Sequence, residues 1–269
     1  MRRYALAAVA VSYTGLLVGL PLTFLIVRTF GSGIGKFVQA VIQPDALHAT
    51  ILSLEVATVT VVVNSLIGLG AALTLARRRT LIARIVNLTF DVPVSISPVI
   101  VGVALILAYS RIGWFGRPLI QHGITVLFSP LGIVLASTAV TLPYVLRSTL
   151  PVLVDAGEDQ ELAARTLGAS RLATFFTVTL PTIKWGLLYG VTMCTLRTMG
   201  EFGAVLVVSG NVTGVTQTMP IYIFDRWDQS FDAVGSFAGA FELTFFSFVL
   251  LAILAVLRRR ERSRNVSAA

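Results

Sequence analysis

The sequence predicts an all-α integral membrane protein that crosses the bilayer six times and keeps both termini in the cytoplasm. Composition is the first observation behind this fold class. Of 269 residues, 55% are hydrophobic and 13% charged, whereas soluble domains carry about 25% charged residues. Segment length is the second. A helix needs roughly 20 mostly apolar residues to cross the hydrocarbon core, and the stretches 5–27, 47–75, 85–109, 131–153, 185–209 and 232–257 all reach that length. They exceed the roughly 9–11 residues of a barrel strand and do not alternate in polarity. Helices then satisfy every backbone group internally. The third observation is the placement of basic residues. One set of loops and ends holds Arg2, Arg3, Arg77, Arg78, Arg79, Arg84, Arg165, Arg171, Lys184, Arg258, Arg259, Arg260, Arg262 and Arg264. The opposite set holds Arg28, Lys36, Arg111, Arg117 and Arg226. The richer side is the cytoplasmic one.

The first stretch begins with Arg2-Arg3 and contains Ala8-Val9-Ala10, as a signal peptide would. Its apolar run continues to Val27, past the 7–15 residues of a signal core, so a retained helix is expected. With its outer loop it makes up residues 1–46. Within that loop, "GSGIGKF" at 31–37 superficially suggests a phosphate loop. Phe30 occupies the place of the first glycine and Phe37 that of the magnesium-binding hydroxyl, so a turn is expected instead. Residues 47–257 form the main transmembrane domain. Glu55 falls near its outer level and Glu242 near mid-membrane. Pro93 and Pro98 open the third stretch and Pro143 interrupts the fourth, each removing a backbone donor and inviting a kink. Broken helices often line transport paths; a plain helix start at Pro93 is the competing reading. Residues 258–269 form a basic tail.

Several chemistries are set aside. The single cysteine, Cys194, lies inside the fifth stretch as a small core residue, so no disulfide framework or thiolate cluster is expected. His48 and His122 lack partners at ligand spacing. No nucleophile elbow or zinc-protease helix is present. The net charge of +8 follows from the loop bias rather than from a nucleic-acid-binding face. No enzymatic activity, metal or cofactor is expected of this chain.

The fifth stretch carries an intramembrane charge. Arg197 lies near its middle, where an arginine costs about 2.5–3.5 kcal/mol and so turns to protein or water. Glu201, four residues on, shares its helix face and is able to pair with it. One reading makes the pair part of a gate or path. An anion shedding water needs positive charge and donors, and Thr195, Thr198, Ser209 and Asn211 stand nearby in sequence. The other makes it a structural pair between helices. Gly186, Gly190, Gly200 and Gly203 are read as allowing close helix approach.

Residues 155–184 are too polar to span. Glu158–Leu167 is rich in helix formers. Gly168 is suited to a left-handed helix end, Ser170 to capping the next helix, and Pro181 to breaking the chain before the fifth span. A short helix and turn should project into the cytoplasm. A second helix should pack Leu172, Phe175, Phe176 and Val178 against the bundle.

This segment resembles the EAA loop of ATP-binding-cassette importer permeases. Ala163-Ala164, three residues, Gly168, nine residues, then Val178-Thr179-Leu180-Pro181 reproduce its spacing. The family glutamate falls at Leu162; the nearest acid, Glu161, is rotated by about 100° on a helix. The stretches "DVPVSISPVIVG" (91–102), "TLPYVLR" (141–147), "TLPTIKWGLLYGV" (179–191), "MGEFGAVLVVSG" (199–210) and "VGSFAGA" (234–240) are similar to CysW-type sulfate permease subunits. "GEFGA" also occurs in molybdate permeases. The resemblance implies a type I importer fold and an ATPase-coupling loop made by Glu161, Leu162, Ala163, Ala164, Gly168, Leu180 and Pro181. It implies a paralogous CysT-type permease, a CysA-type ATPase dimer that carries ATP and magnesium, and an extracytoplasmic sulfate-binding protein, all in a bacterial plasma membrane. A molybdate, tungstate or thiosulfate importer, and an ATP-independent secondary anion transporter, are the alternatives.

Overall fold

The structure is a computed structural model that describes residues 2–77 and 80–267. Arg78 and Arg79, counted above in the loop bias, lie outside the described residues. Among those described, four helices are long and apolar enough to cross a membrane unbroken: Val11–Gly31, Pro44–Arg77, Pro130–Ala156 and Ala233–Arg259. The third stretch is broken, as the kink-inducing prolines allowed, and the fifth is broken too, contrary to the expectation of one continuous helix. Leu81–Ser95 and Pro98–Tyr109 meet at 109°, and Arg171–Met199 and Gly203–Ser209 at 53°. Counting each bent pair as one span gives six.

The chain opens with α1 (Arg2–Gly31) and the short α2 (Ile34–Val41), joined only by Ser32 and Gly33; the rest of the "GSGIGKF" run, expected as a turn, is helical. The long α3 (Pro44–Arg77) follows. The third span comprises α4 (Leu81–Thr89), α5 (Val92–Ser95) and α6 (Pro98–Tyr109). Its break has a local cause. Pro98 lacks an N–H and disfavours helical geometry in the residue before it, and Ser97, with Ile96 ahead of it, is extended, with ψ of 135° and 140°. After α7 (Gly116–Gln121), the fourth span is α8 (Pro130–Thr141) and α9 (Pro143–Ala156). Pro143 interrupts the hydrogen bonding there without dividing the span. Then come α10 (Asp159–Thr166), α11 (Arg171–Thr174), a π-helical turn (Phe175–Thr179), α12 (Leu180–Met199), α13 (Gly203–Ser209), α14 (Met219–Asp228) and α15 (Ala233–Ser267).

At the bundle's centre stands α3. Leu52 and Val56 pack with Ile133, Val205 and Ile221. Farther along, Ala72 joins Phe90, Leu146, Leu153 and Ile183. Between membrane helices, association depends on close packing rather than on water exclusion, which favours small residues. Gly190 shows the demand: a Cβ there would stand 2.0 Å from the Ser148 hydroxyl. A Cβ at Gly203 would stand 3.3 Å from that of Pro98, so the break in the fifth span rests against the break in the third. Gly200 has no such neighbour closer than 3.5 Å and serves to end α12.

Contacts at one end of the bundle fix the helix directions. The Thr29 hydroxyl donates to the Phe237 carbonyl at 3.1 Å, and the Phe30 and Phe241 rings meet at 5.0 Å. The end of α1 therefore lies beside the beginning of α15, and the start of α1 and the end of α15 lie toward the opposite end of the bundle. Asp45 at the start of α3 pairs with Arg226 of α14 at 3.0 Å. Arg77 closes α3 at the far end, where α10 sits.

Candidate functional site

Two places gather the residues singled out by sequence. The first is the segment around α10. Asp159 and Glu161 occupy its first turn and complement the helix dipole. Gly168, at φ +90°, ends it with a Schellman motif: its N–H donates to the Arg165 carbonyl and that of Ala169 to the Ala164 carbonyl, both at 3.0 Å. The Ser170 hydroxyl caps α11 by accepting the Ala173 N–H at 3.2 Å.

Two expectations for this segment fail. Pro181 does not break the chain before the fifth span; it lies within the first turn of α12. The π turn accommodates it. The Leu180 N–H reaches back five residues to the Phe175 carbonyl, and the widened turn relieves the crowding a proline ring imposes on the carbonyl four residues earlier. Nor do Leu172 and Phe176 pack on the bundle, since they are 72% and 61% exposed. Thr174 and Thr179 take the buried positions. Hydrogen bonds that reach back five residues rather than four widen the turn and shift which side chains face inward, and the threonine hydroxyls bond locally or to Glu161.

Glu161 is the buried member of α10. Its carboxylate pairs with Arg77, and its Oε1 accepts the Thr179 hydroxyl at 2.6 Å. Ala164 is half-buried, Ala163 exposed, Leu180 half-buried and Pro181 exposed. Leu162 and Leu167 point away from the bundle, 52% and 89% exposed. The short helix thus turns an anchored carboxylate inward and leaves Leu162 uncovered, with Leu167 uncovered just past its end.

The second place is the break in the fifth span. Arg197 lies in the last turn of α12, not in mid-helix, and α12 ends at Met199. Its Nη1 nevertheless meets Glu201 Oε2 at 2.5 Å. Glu201 is almost wholly buried, and its other oxygen accepts the Ala204 N–H at 3.0 Å, capping α13. Arg197 is one-third exposed, so part of the guanidinium stays open to whatever lies outside the chain.

The remaining candidates are engaged elsewhere. Thr198 is buried with its hydroxyl 3.4 Å from that of Thr141, and the Thr195 hydroxyl donates to the Val191 carbonyl. Ser209 is buried and accepts the Asn211 N–H at 3.2 Å. Asn211, at φ +51°, donates to Asp225 and accepts from Gln217. Those two shape the loop between α13 and α14.

The structure also shows pairs that sequence reasoning missed. Arg147 forks onto Asp91 at 2.8 and 2.6 Å and donates to the Asn87 carbonyl at 2.9 Å, tying α9 to the segment ahead of the third-span break. Both residues sit in the quoted motifs, but their separation of 56 positions carries no periodic signal. Asn64, fully buried in α3, donates to the Thr141 hydroxyl at 2.8 Å and lies 3.7 Å from Cys194 Sγ. Glu242 accepts the Thr50 hydroxyl at 2.9 Å, whereas Glu55 is exposed on α3.

Comparison with known proteins gives a consistent set. Residues 64–263 match the family described as "Binding-protein-dependent transport system inner membrane component". The chain is 43% identical over 251 residues to sulfate permease 2, chloroplastic, of Chlamydomonas reinhardtii, covering 93% of this chain and 66% of that protein. It is 38% identical over 256 residues to the sulfate transport system permease protein CysW of Synechococcus elongatus, covering 95% and 89%. A molybdenum transport system permease protein ModB of Mycobacterium tuberculosis is 37% identical over 189 residues, covering 70% of this chain and 72% of that protein. In fold it resembles a chain of a bacterial alginate ABC transporter solved with an alginate-bound periplasmic protein, with a TM-score of 0.77 at 15% identity over 96% of this chain and 93% of that one.

Proposed function

Because this chain belongs to the family of binding-protein-dependent transport system inner membrane components, a multi-pass membrane protein family, we propose that it is the CysW-type permease subunit of an ATP-driven sulfate importer. The observation that carries the reading is the identity to a CysW protein across 95% of this chain. In this reading a paralogous CysT-type permease completes the path. A CysA-type ATPase dimer binds ATP and magnesium, and an extracytoplasmic sulfate-binding protein delivers the anion. This chain binds no cofactor and hydrolyses nothing.

Its own residues have two tasks. The α10 helix lies on the cytoplasmic side and offers Leu162 and Leu167 to a groove of the ATPase. Uncovered leucines on a short polar loop are available for burial by a partner. Arg197 supplies positive charge toward the path. A dianion leaving water needs charge-assisted donors, and one-third of the Arg197 side chain stays available for them while Glu201 holds the rest. Thr198, Ser209 and Asn211 support the walls through the bonds described above rather than by meeting the anion.

A molybdate importer is the second reading, favoured by the identity to ModB over 70% of this chain. Uptake of radiolabelled sulfate by the reconstituted complex, with molybdate and thiosulfate as competitors, separates the two. ATP-dependent sulfate uptake that a large excess of molybdate leaves intact is the expected result. Uptake of molybdate in preference to sulfate would overturn the substrate, and uptake without ATP would overturn the importer.

A further inference from the structure

We propose that Arg77 and Glu161 are positioning residues for energy coupling. They fasten α10 to the end of α3, so that the ATPase moves α3 directly and not solely the helices that flank α10 in the chain. The proposal rests on α10 being the ATPase-docking helix.

The backbone ties α10 to α9 on one side and, through α11 and the π turn, to α12 on the other. It makes no such tie to α3, and backbone contact between α10 and α3 is sparse. A cleft of about 470 Å³ opens at this junction, lined by Ala76, Arg77, Leu153, Val154, Gly157 and Glu161 among others. The Arg77–Glu161 ion pair bridges it. Glu161 is 8% exposed on a helix whose neighbour Leu162 is 52% exposed, so its carboxylate is committed inward and not to a docked subunit. Both carboxylate oxygens are engaged, one by Arg77 and one by the Thr179 hydroxyl. Charge-assisted bonds of this kind are about twice as strong as neutral ones. Removing either charge leaves the other at least partly buried without its ionic partner.

The choice of α3 as receiver has a physical consequence. Its side chains enter clusters with α8, α9, α12, α13 and α14. A close-packed core transmits displacement rather than absorbing it. A shift at Arg77 is therefore felt along the whole bundle, including the level of the Gly200–Phe202 break. Thr179 sits in the π turn, so the same carboxylate also holds the irregular start of the fifth span.

The test uses the full complex with its partner permease, ATPase and binding protein. Arg77→Gln and Glu161→Gln should each leave the ATPase co-purifying in wild-type amount. Uptake should fall about ten-fold, as expected for loss of a coupling contact. ATP hydrolysis should no longer rise when loaded binding protein is added, a readout that a merely structural role would not move. The exchanged pair Arg77→Glu with Glu161→Arg should transport better than either single reversal. Release of the ATPase by Glu161→Gln but not by Arg77→Gln would overturn the proposal, because the carboxylate would then face the partner. So would wild-type uptake in both single variants. Should the variants fail to reach the membrane, Arg77→Cys with Glu161→Cys in a Cys194→Ala chain is joined by a short thiol reagent. The joined chain should transport better than the unjoined one, and no gain would overturn the proposal. A wild-type complex that binds no ATPase fails at the earlier reading and takes this one with it; a wild-type complex that carries another anion leaves the same comparison to be made with that anion.

Discussion

At the scale of single residues, Glu201 shows how one side chain serves two elements. Spacing of four residues from Arg197 suggested a pair on one helix face, and the pair forms. The helix that was to carry it ends at Met199, and Glu201 reaches back across the break while capping α13. Replacing both members with leucine therefore removes a cap as well as a charge pair, so the amide variants are the cleaner probe. Glu201→Gln keeps an oxygen for the Ala204 N–H; Glu201→Ala does not. Loss of a helix cap costs about 1 kcal/mol, so the purified complex should melt at lower temperature with Glu201→Ala than with Glu201→Gln. Equal melting temperatures would show that the cap contributes nothing. The double variant Arg197→Gln with Glu201→Gln should assemble and yet lose sulfate uptake, as expected if the guanidinium meets the anion. Retained uptake would leave the pair a brace across the break. The pairing was legible because i, i+4 spacing is local; the cap was not, because the break follows from how α13 packs on α6 and α8.

Among the elements, α10 and its turn were the most legible. Good helix formers, a glycine and a capping serine are local signals, and each holds in the structure. Gly168 gives a direct test. A Cβ there meets nothing within 4 Å, so any cost of substitution is torsional at φ +90° rather than steric. Gly168→Val should store about 1–3 kcal/mol of backbone strain. It should insert into the membrane, lose ATPase co-purification and lose uptake. Gly168→Asn, whose side chain tolerates left-handed geometry, should transport substantially better. Equal transport by the two would remove the turn from the coupling account. The π turn was not legible. Propensity treats Pro181 as a breaker, and a widened turn that absorbs it depends on Thr179 being held by Glu161 from a neighbouring helix. Leu172 and Phe176 were misplaced for the same reason, since 3.6-residue periodicity does not carry through a widened π turn.

For the whole molecule, the start of α1 and the end of α15 lie at the end of the bundle that carries Arg77 and α10, and the basic loops predict that this end is the cytoplasmic one. Arg165 on α10 and Arg117 on α7 are both exposed, so they report the two sides. In intact cells an impermeant thiol reagent should label Arg117→Cys and spare Arg165→Cys; in inverted vesicles the pattern should reverse. The same pattern in both preparations would overturn the orientation and the docking role of α10 with it. The sequence by itself determined the all-helical membrane class, the apolar stretches that become four unbroken and two bent candidate spans, and the position of the short helix α10. These depend on composition, on length against bilayer thickness and on local turn chemistry, all of which act within about 20 residues along the chain. Tertiary structure alone decided where the fifth span bends, which carboxylate turns inward, and which distant charges meet. Arg77 with Glu161 and Arg147 with Asp91 are separated by 84 and 56 positions. Such pairs form because packing around α3 brings their helices together, and no periodicity in the chain records that approach.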